Sequence, residues 1–293
     1  MAFHRDYDEL YFTGDDWAHR VQAWLRHEKR SGNSNPFLDG NERLIRQTLE
    51  HRETGLRMVV NISAAALLSF LQTGRYRNLY ENPVIGGARR TPSPERLRVD
   101  DLLEFGAQAK DYYFGAVALG GTGVRFYGEY CMAIKPDRVK ASTRLFDRDS
   151  YDMLVPPLSQ LDDEQLREFS GILRGEWGGD VVDMLVLKLL PELRSANRLL
   201  TTGVVSELVL HDQDFVEVHY KGKIRPDSVE EIRQSPDEVA LEARILSRRA
   251  SGFSPTAVEL VWLRRREEVA KAVESHGIRY RIVTLHGQGY QWR

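Results

Sequence analysis

The segment LRMVVNISAAALLSFLQTG (56–74) does most to limit what this chain can become. Its first part gathers Val59, Val60 and Ile62 into a short apolar run, which reads as a buried strand over 56–63. Its second part reads as a helix over 64–74, with Ser63 suited to the N-cap and Gly74 to the position just past the end. A chain that changes from strand to helix at Ser63 is neither all-helical nor all-sheet. The rest alternates irregularly in the same way. YFGAVALGG (113–121) and FYGEYCMAIKP (126–136) read as strands, the second stopped by proline. DEQLREFSGILRG (163–175), DVVDMLVLKLLPEL (180–193) and PDEVALEARILSRRA (236–250) read as helices, the second of them buried. GVVSELVLHDQDFVEVHYKGKI (203–224) reads as two short strands joined by a polar turn at His211 to Asp214. The end reads as a strand (257–263), a helix (264–277) and a strand (278–285). This order predicts a mixed α+β fold.

Ahead of that unit, residues 1–30 read as helical, because Trp17, Val21, Trp24 and Leu25 recur at helical spacing and Asp15 and Asp16 lie near the start. A loop over 31–41 and a short helix to Leu49 follow, so 1–50 reads as a helical N-terminal extension and 51–293 as the main domain. Between Arg75 and Leu97 the Pro and Gly content predicts a long loop, of a length that is usually functional.

Charge and motif content exclude several classes. Lys plus Arg is 41 and Asp plus Glu is 43, a net charge of -2, which gives no whole-protein attraction to nucleic acid or an anionic membrane. Arg264–Arg266 read as the exposed start of a helix, and Arg89 and Arg90 lie in the long loop, within reach of an anionic acceptor. The single cysteine, Cys131, rules out an internal disulfide and a Cys-rich zinc site and fits a reducing compartment. The scattered histidines point to no metal. The N-terminus does not read as a secretory signal, and no apolar run approaches the roughly 18 residues of a membrane span. No phosphate loop, dinucleotide glycine fingerprint, HExxH or GxSxG occurs.

Four blocks in fixed order carry the functional signal: VVNISAAALLSFLQTGRYRNLYEN (59–82), YFGAVALGGTGVRFYGEYCMAIKPDRV (113–139), STRLFDRDS (142–150) and DFVEVHYKGKIRPDSVEEI (214–232). Together they resemble the ADP-ribosyltransferase-like fold, over about residues 55–290. More narrowly they resemble a poorly characterised bacterial group with a GRYRxxFE-like segment, a YGA…YG…DS run and a Y-V-E-x-H-x-G strand. The resemblance implies a split mixed sheet with flanking helices and a cytosolic enzyme that takes NAD as substrate. It further implies transfer of ADP-ribose to a macromolecular acceptor, protein or nucleic acid, in a toxin, effector or phage-defence setting, with a cognate immunity or antitoxin protein as a possible partner and no membrane. NAD hydrolysis, and a non-catalytic interaction protein on the same fold with the first 50 residues as its docking element, are the alternatives; a nucleic-acid-binding module is disfavoured by the net charge.

Breaking the nicotinamide–ribose bond develops oxocarbenium character, so the chemistry needs a carboxylate near the ribose, donors for the pyrophosphate and a slot for the flat ring. Glu217 matches the family's catalytic glutamate, with His219 beside it. Strand alternation puts Glu217, His219 and Lys221 on one face and Val216, Val218 and Tyr220 on the other. The residues alone also allow a solvated polar face on an edge strand. Asn61 and Ser63 sit where the fold holds the adenosine side of NAD, in place of the more usual histidine or arginine; a cap role suits Ser63 equally. Arg75 or Arg77 offers a fork for pyrophosphate, and Arg77 and Glu81 match the R-x-x-x-E of the family segment; an Arg77–Glu81 salt bridge pinning the loop is the other reading. Tyr80 beside them reads equally as packing. Tyr113 and Tyr127, beside Gly115 and Gly128, suit a nicotinamide slot or ordinary aromatic core filling. Asp149 and Ser150 resemble the family's D-S, or an Asx turn.

Overall fold

The computed structural model describes residues 16–30, 35–51, 55–78, 80–81, 92–211 and 214–283. Arg89, Arg90, residues 1–15 and the end of the last expected strand lie outside the described residues.

Two helices, α1 (Trp17–Arg30) and α2 (Leu38–Glu50), precede β1 (Arg57–Ile62) and α3 (Ala64–Thr73). Helix α2 begins at Leu38, inside the expected loop. The strand-to-helix change at Ser63 stands as read: Ser63 Oγ accepts from the Ala66 N–H at 3.3 Å, and Gly74 closes the helix at φ 68°. That left-handed backbone is open to glycine at little cost.

The long loop is shorter than expected. Helix α4 (Pro94–Leu102) starts within it, because Ser93 accepts from the Arg96 N–H and Pro94 takes the first turn, where its missing N–H is not needed. Then come β2 (Tyr112–Ala118), β3 (Tyr130–Ile134) and β4 (Arg144–Phe146). The expected strand from 126 begins only at Tyr130; Arg125–Tyr127 form a 3-10 turn instead, so Tyr127 and Gly128 are loop residues. Helix α5 (Asp163–Ile172), strand β5 (Arg174–Glu176) and helix α6 (Val181–Ser195) follow.

Two expected strands are helices. Residues 203–209 belong to α7 (Thr202–Val209), capped by Thr201, with Val205, Ser206 and Val209 on one buried face. The valines favour a strand by propensity, and packing overrides that preference. After β6 (Glu217–Lys221), β7 (Val229–Gln234) and α8 (Pro236–Ala250), residues 257–263 open helix α9 (Ala257–Ser275). A capping box of Thr256 and Glu259 fixes its start. The chain then forms β8 (Arg279–Ile282).

The strands form one eight-stranded sheet in the order β5-β4-β6-β2-β1-β3-β7-β8. Every neighbouring pair is antiparallel except β7 and β8, so the sheet is mixed. One face carries the main core, where Met58, Val60, Ile62, Val117 and Val218 meet the helices. Helix α6 is its centre, with Met184, Leu185, Leu189 and Leu193 buried. Helices α1 and α2 join this core through Trp17, Val21, Trp24 and Ile45. Polar ties to α6 reinforce them: Arg46 donates to Asp183 at 2.6 Å and Arg194 donates to Glu28 at 3.0 Å. The other face has two smaller cores. One, around Phe105, Tyr112, Phe146 and Met153, lies with α4 and α5. The second gathers Val59, Ala116, Ala118, Cys131 and Ala133.

Candidate functional site

Strand β6 lies between β2 and β4, not at an edge. Glu217 pairs across to Ala116 and Phe146, and His219 to Phe114 and Arg144. Alternation sends Val216 and Val218 into the main core, as the sequence requires, and turns Glu217 and His219 to the second face. That face is not solvated there. Glu217 is 6% exposed and His219 3%, and only Lys221 at the strand end is exposed. Glu217 lies under the 3-10 turn Ser150–Leu154, and His219 lies among Phe105, Phe114 and Phe146.

Polar groups converge on Glu217. Its Oε2 accepts the Ser150 N–H at 2.9 Å and lies 3.3 Å from His219 Nε2. Oε1 has no hydrogen-bond partner among the described residues. Burial alone would raise this carboxyl, but His219, the Arg96 guanidinium and the Ser150 N–H outweigh it and hold the group below its ordinary range. The His219 ring is boxed by Phe105 at 5.0 Å and Phe114 at 5.3 Å.

Arg96 comes from α4. It pairs with Asp100 one turn on, in i,i+4 spacing, and its guanidinium stacks 3.9 Å over the Phe114 ring. Both members of this pair are buried. Asp100 also accepts the Tyr80 hydroxyl.

Asp149 completes the cluster from the N-cap of the Ser150 turn. It accepts the Tyr151 N–H at 3.0 Å and the Tyr127 hydroxyl at 3.3 Å. Burial first, and then the charge on Glu217, push its carboxyl up to about 7 against these hydrogen bonds. Two neighbouring carboxyls are thus driven apart, one anionic and one titrating near neutrality, as acid–base pairs require.

Asn61 reaches the same cluster through the backbone. Its side chain lies on the Glu217 face of β1, and Val59, Ala116 and Glu217 form one cross-strand row beside it. Asn61 Nδ2 donates to the Thr122 carbonyl at 2.9 Å and to the Gly128 carbonyl at 3.0 Å. It therefore clamps the loop whose Tyr127 touches Asp149. Its Oδ1 and the Thr122 Oγ1 are buried without a partner among the described residues. Gly128 is there for space: a Cβ would sit 2.1 Å from the Ile62 backbone carbon.

The other expected residues divide. Ser63 caps α3 and takes no part in the cluster. Tyr113 points to the opposite face of β2, where its ring meets Tyr76 at 5.7 Å and its hydroxyl donates to Glu81 at 3.2 Å. Glu81 pairs with Arg75, not with Arg77. Arg77 is exposed and has no ion-pair partner among the described residues. The GRYRNLYE stretch thus approaches Glu217 through Tyr80, Asp100 and Arg96. Sequence reasoning missed Arg96 and Asp100; the Ser93–Pro94 helix start and their i,i+4 spacing were the available signal. Among the described residues no group of three His, Cys, Asp or Glu side chains is placed to hold a metal, and no helix is long and apolar enough to cross a membrane.

No family model, curated protein or solved structure matches the chain. Function is therefore read from these side chains.

Proposed function

We propose that this chain is an NAD-dependent ADP-ribosyltransferase on an ADP-ribosyltransferase-like sheet, acting in the cytosol on a macromolecular acceptor as a toxin, effector or phage-defence enzyme. The observation that carries this reading is Glu217: a carboxylate kept anionic although nearly fully buried, with its recorded contacts at Oε2 and no hydrogen bond to Oε1 among the described residues. An anion fixed in a low-dielectric site stabilises positive charge developing on a ribose far more than it would in water.

In this reading the ribose meets Glu217 Oε1, with the His219 ring beside the carboxylate at 3.3 Å. The bond between nicotinamide and ribose breaks, and its electron pair leaves with nicotinamide. The acceptor's nucleophile bonds to the vacated carbon, and its proton passes to Asp149, which is part-ionised near neutral pH. Arg96 adds positive charge beside Glu217 and keeps it ionised. Tyr127, half-exposed above Asp149, offers a ring surface for the nicotinamide. Entry of the sugar requires the 150–154 turn to move, because Ser150 covers Glu217.

A second reading has one observation in its favour. A carboxyl titrating near neutrality beside a fixed carboxylate is a base for water as well, which would make the product free ADP-ribose. Incubation with NAD labelled in the adenosine half, with cell lysate, separates the two. Label on a macromolecule supports transfer; free ADP-ribose alone supports hydrolysis. Glu217→Gln is expected to lower nicotinamide release at least a hundredfold while the folded content stays intact by circular dichroism. Wild-type protein that releases no nicotinamide, or a Glu217→Gln variant as active as its parent, refutes both.

A further inference from the structure

On the sheet face opposite Glu217, the N-terminus of α3 and the first turns of α9 enclose a cavity of about 430 Å³. That volume lies in the range that takes a small molecule. Ala64, Ala65, Val258, Val261 and Trp262 give it apolar walls. Val258 is 79% exposed and Val261 52%, so two branched apolar side chains of α9 are left facing water beside a concavity.

The polar groups at the cavity are mostly spoken for, with one exception. Glu129 accepts the Ala64 N–H at 2.9 Å and so answers the positive end of α3. Arg266, 8% exposed, stacks 4.7 Å over the Trp262 ring. Its Nε and Nη2 donate to Glu242 at 3.0 and 2.8 Å. Its remaining nitrogen, Nη1, is buried, does not open on the cavity, and has no partner among the described residues. Arg265 lines the same cavity, is exposed, and forms no ion pair among the described residues. Glu129 is bonded to the α3 amide and Glu242 to Arg266, which leaves Arg265 as the cation at the mouth with no ion-pair partner among the described residues.

We propose that this cavity is a binding site for a small apolar acid: a hydrocarbon or aromatic body against Val258, Val261 and Trp262, with a carboxylate head at Arg265. The site is independent of the proposed NAD chemistry, because none of its groups touches the Glu217 cluster.

The probe is 4-phenylbutyrate, compared with 4-phenylbutanol and 4-phenylbutylamine of the same body, each titrated at millimolar concentration into the full chain by saturation-transfer NMR and calorimetry. The acid is expected to bind about tenfold more tightly than the alcohol, the effect of one charge-assisted hydrogen bond, and the amine not at all. Arg265→Ala, at an exposed position, is expected to bring the acid down to the alcohol's affinity. Ala65→Phe, which fills the cavity from the outer side of α3, is expected to abolish binding of both. Circular dichroism establishes that the variants fold. No binding of the acid, equal binding of all three probes, or binding unaltered by Ala65→Phe overturns the proposal. None of these outcomes bears on nicotinamide release.

Discussion

Replacing Asp149 by Asn isolates the electrostatic cost of the carboxyl pair. Asparagine keeps the shape, can still cap the Ser150 turn through the Tyr151 N–H, and cannot ionise. The folded protein holds the Asp149 carboxyl at about 7 against an ordinary value of 3.8. Its folded pKa is raised, so the unfolded chain gives up this proton first. Stability is therefore greatest below the unfolded value and falls as pH climbs toward 7. Above both values the full cost is ~4 kcal/mol. Because the shift is shared with Glu217 and titrates jointly, ~2 kcal/mol is the better working figure. Asp149→Asn should therefore unfold at a higher urea concentration than the parent at about pH 8, with the gap narrowing by ~1–3 kcal/mol toward about pH 5. Burial is the larger cause of the shift and Glu217 the second. Glu217→Gln should consequently lower the Asp149 pKa only part of the way. A gap between Asp149→Asn and its parent that is the same at both pH values refutes the electrostatic account.

Gly128→Ala brings a Cβ to 2.1 Å of the Ile62 backbone, which cannot yield as a side chain would, so a loss of ~3 kcal/mol or more in urea unfolding is expected. Asn61→Ala frees the Thr122 and Gly128 carbonyls, and a loss of ~2–4 kcal/mol is expected from two deserted acceptors, one buried and one part-buried; saturating NAD should not restore it if the residue's main work is clamping the loop. Thr256→Ala removes one arm of the α9 capping box and is expected to cost ~1 kcal/mol, with faster amide exchange confined to the first turn of α9. Unchanged exchange there would mean that the box does not hold the helix start.

The sequence announces what depends on near neighbours. Ser63 and Gly74 bracket α3 because a cap and a left-handed stop act within one turn. The alternation of Val216, Glu217, Val218 and His219 assigns their faces because a strand has a period of two. It does not announce what covers a face. The same alternation suits a wet edge or a buried centre, and only the placement of β6 between β2 and β4 decides it. Arg96 and Asp100 are 121 and 117 positions from Glu217 by their numbers, so their arrival beside it is tertiary. The valine-rich starts of α7 and α9 mislead for a related reason. Their capping threonines, Thr201 and Thr256, point to helix, while side-chain propensity points to strand. Tyr113 and Tyr127 look alike in sequence, yet one faces the main core and the other a loop at Asp149, since a shift in strand start at Tyr130 is invisible in composition.

Among the described residues, strand β8 leaves a ladder of amide and carbonyl groups at the margin of the sheet, the kind of edge to which a neighbouring molecule's backbone adds. It is four residues long, and its Arg279 and Arg281 gather about the buried Glu231 at 3.6 and 3.3 Å. Two cationic gatekeepers in so short a stretch repel an identical copy approaching in register. At the opposite margin β5 offers three residues, too few to template growth. Colloidal behaviour is in this way written into both ends of the sheet, separately from whatever chemistry its middle performs.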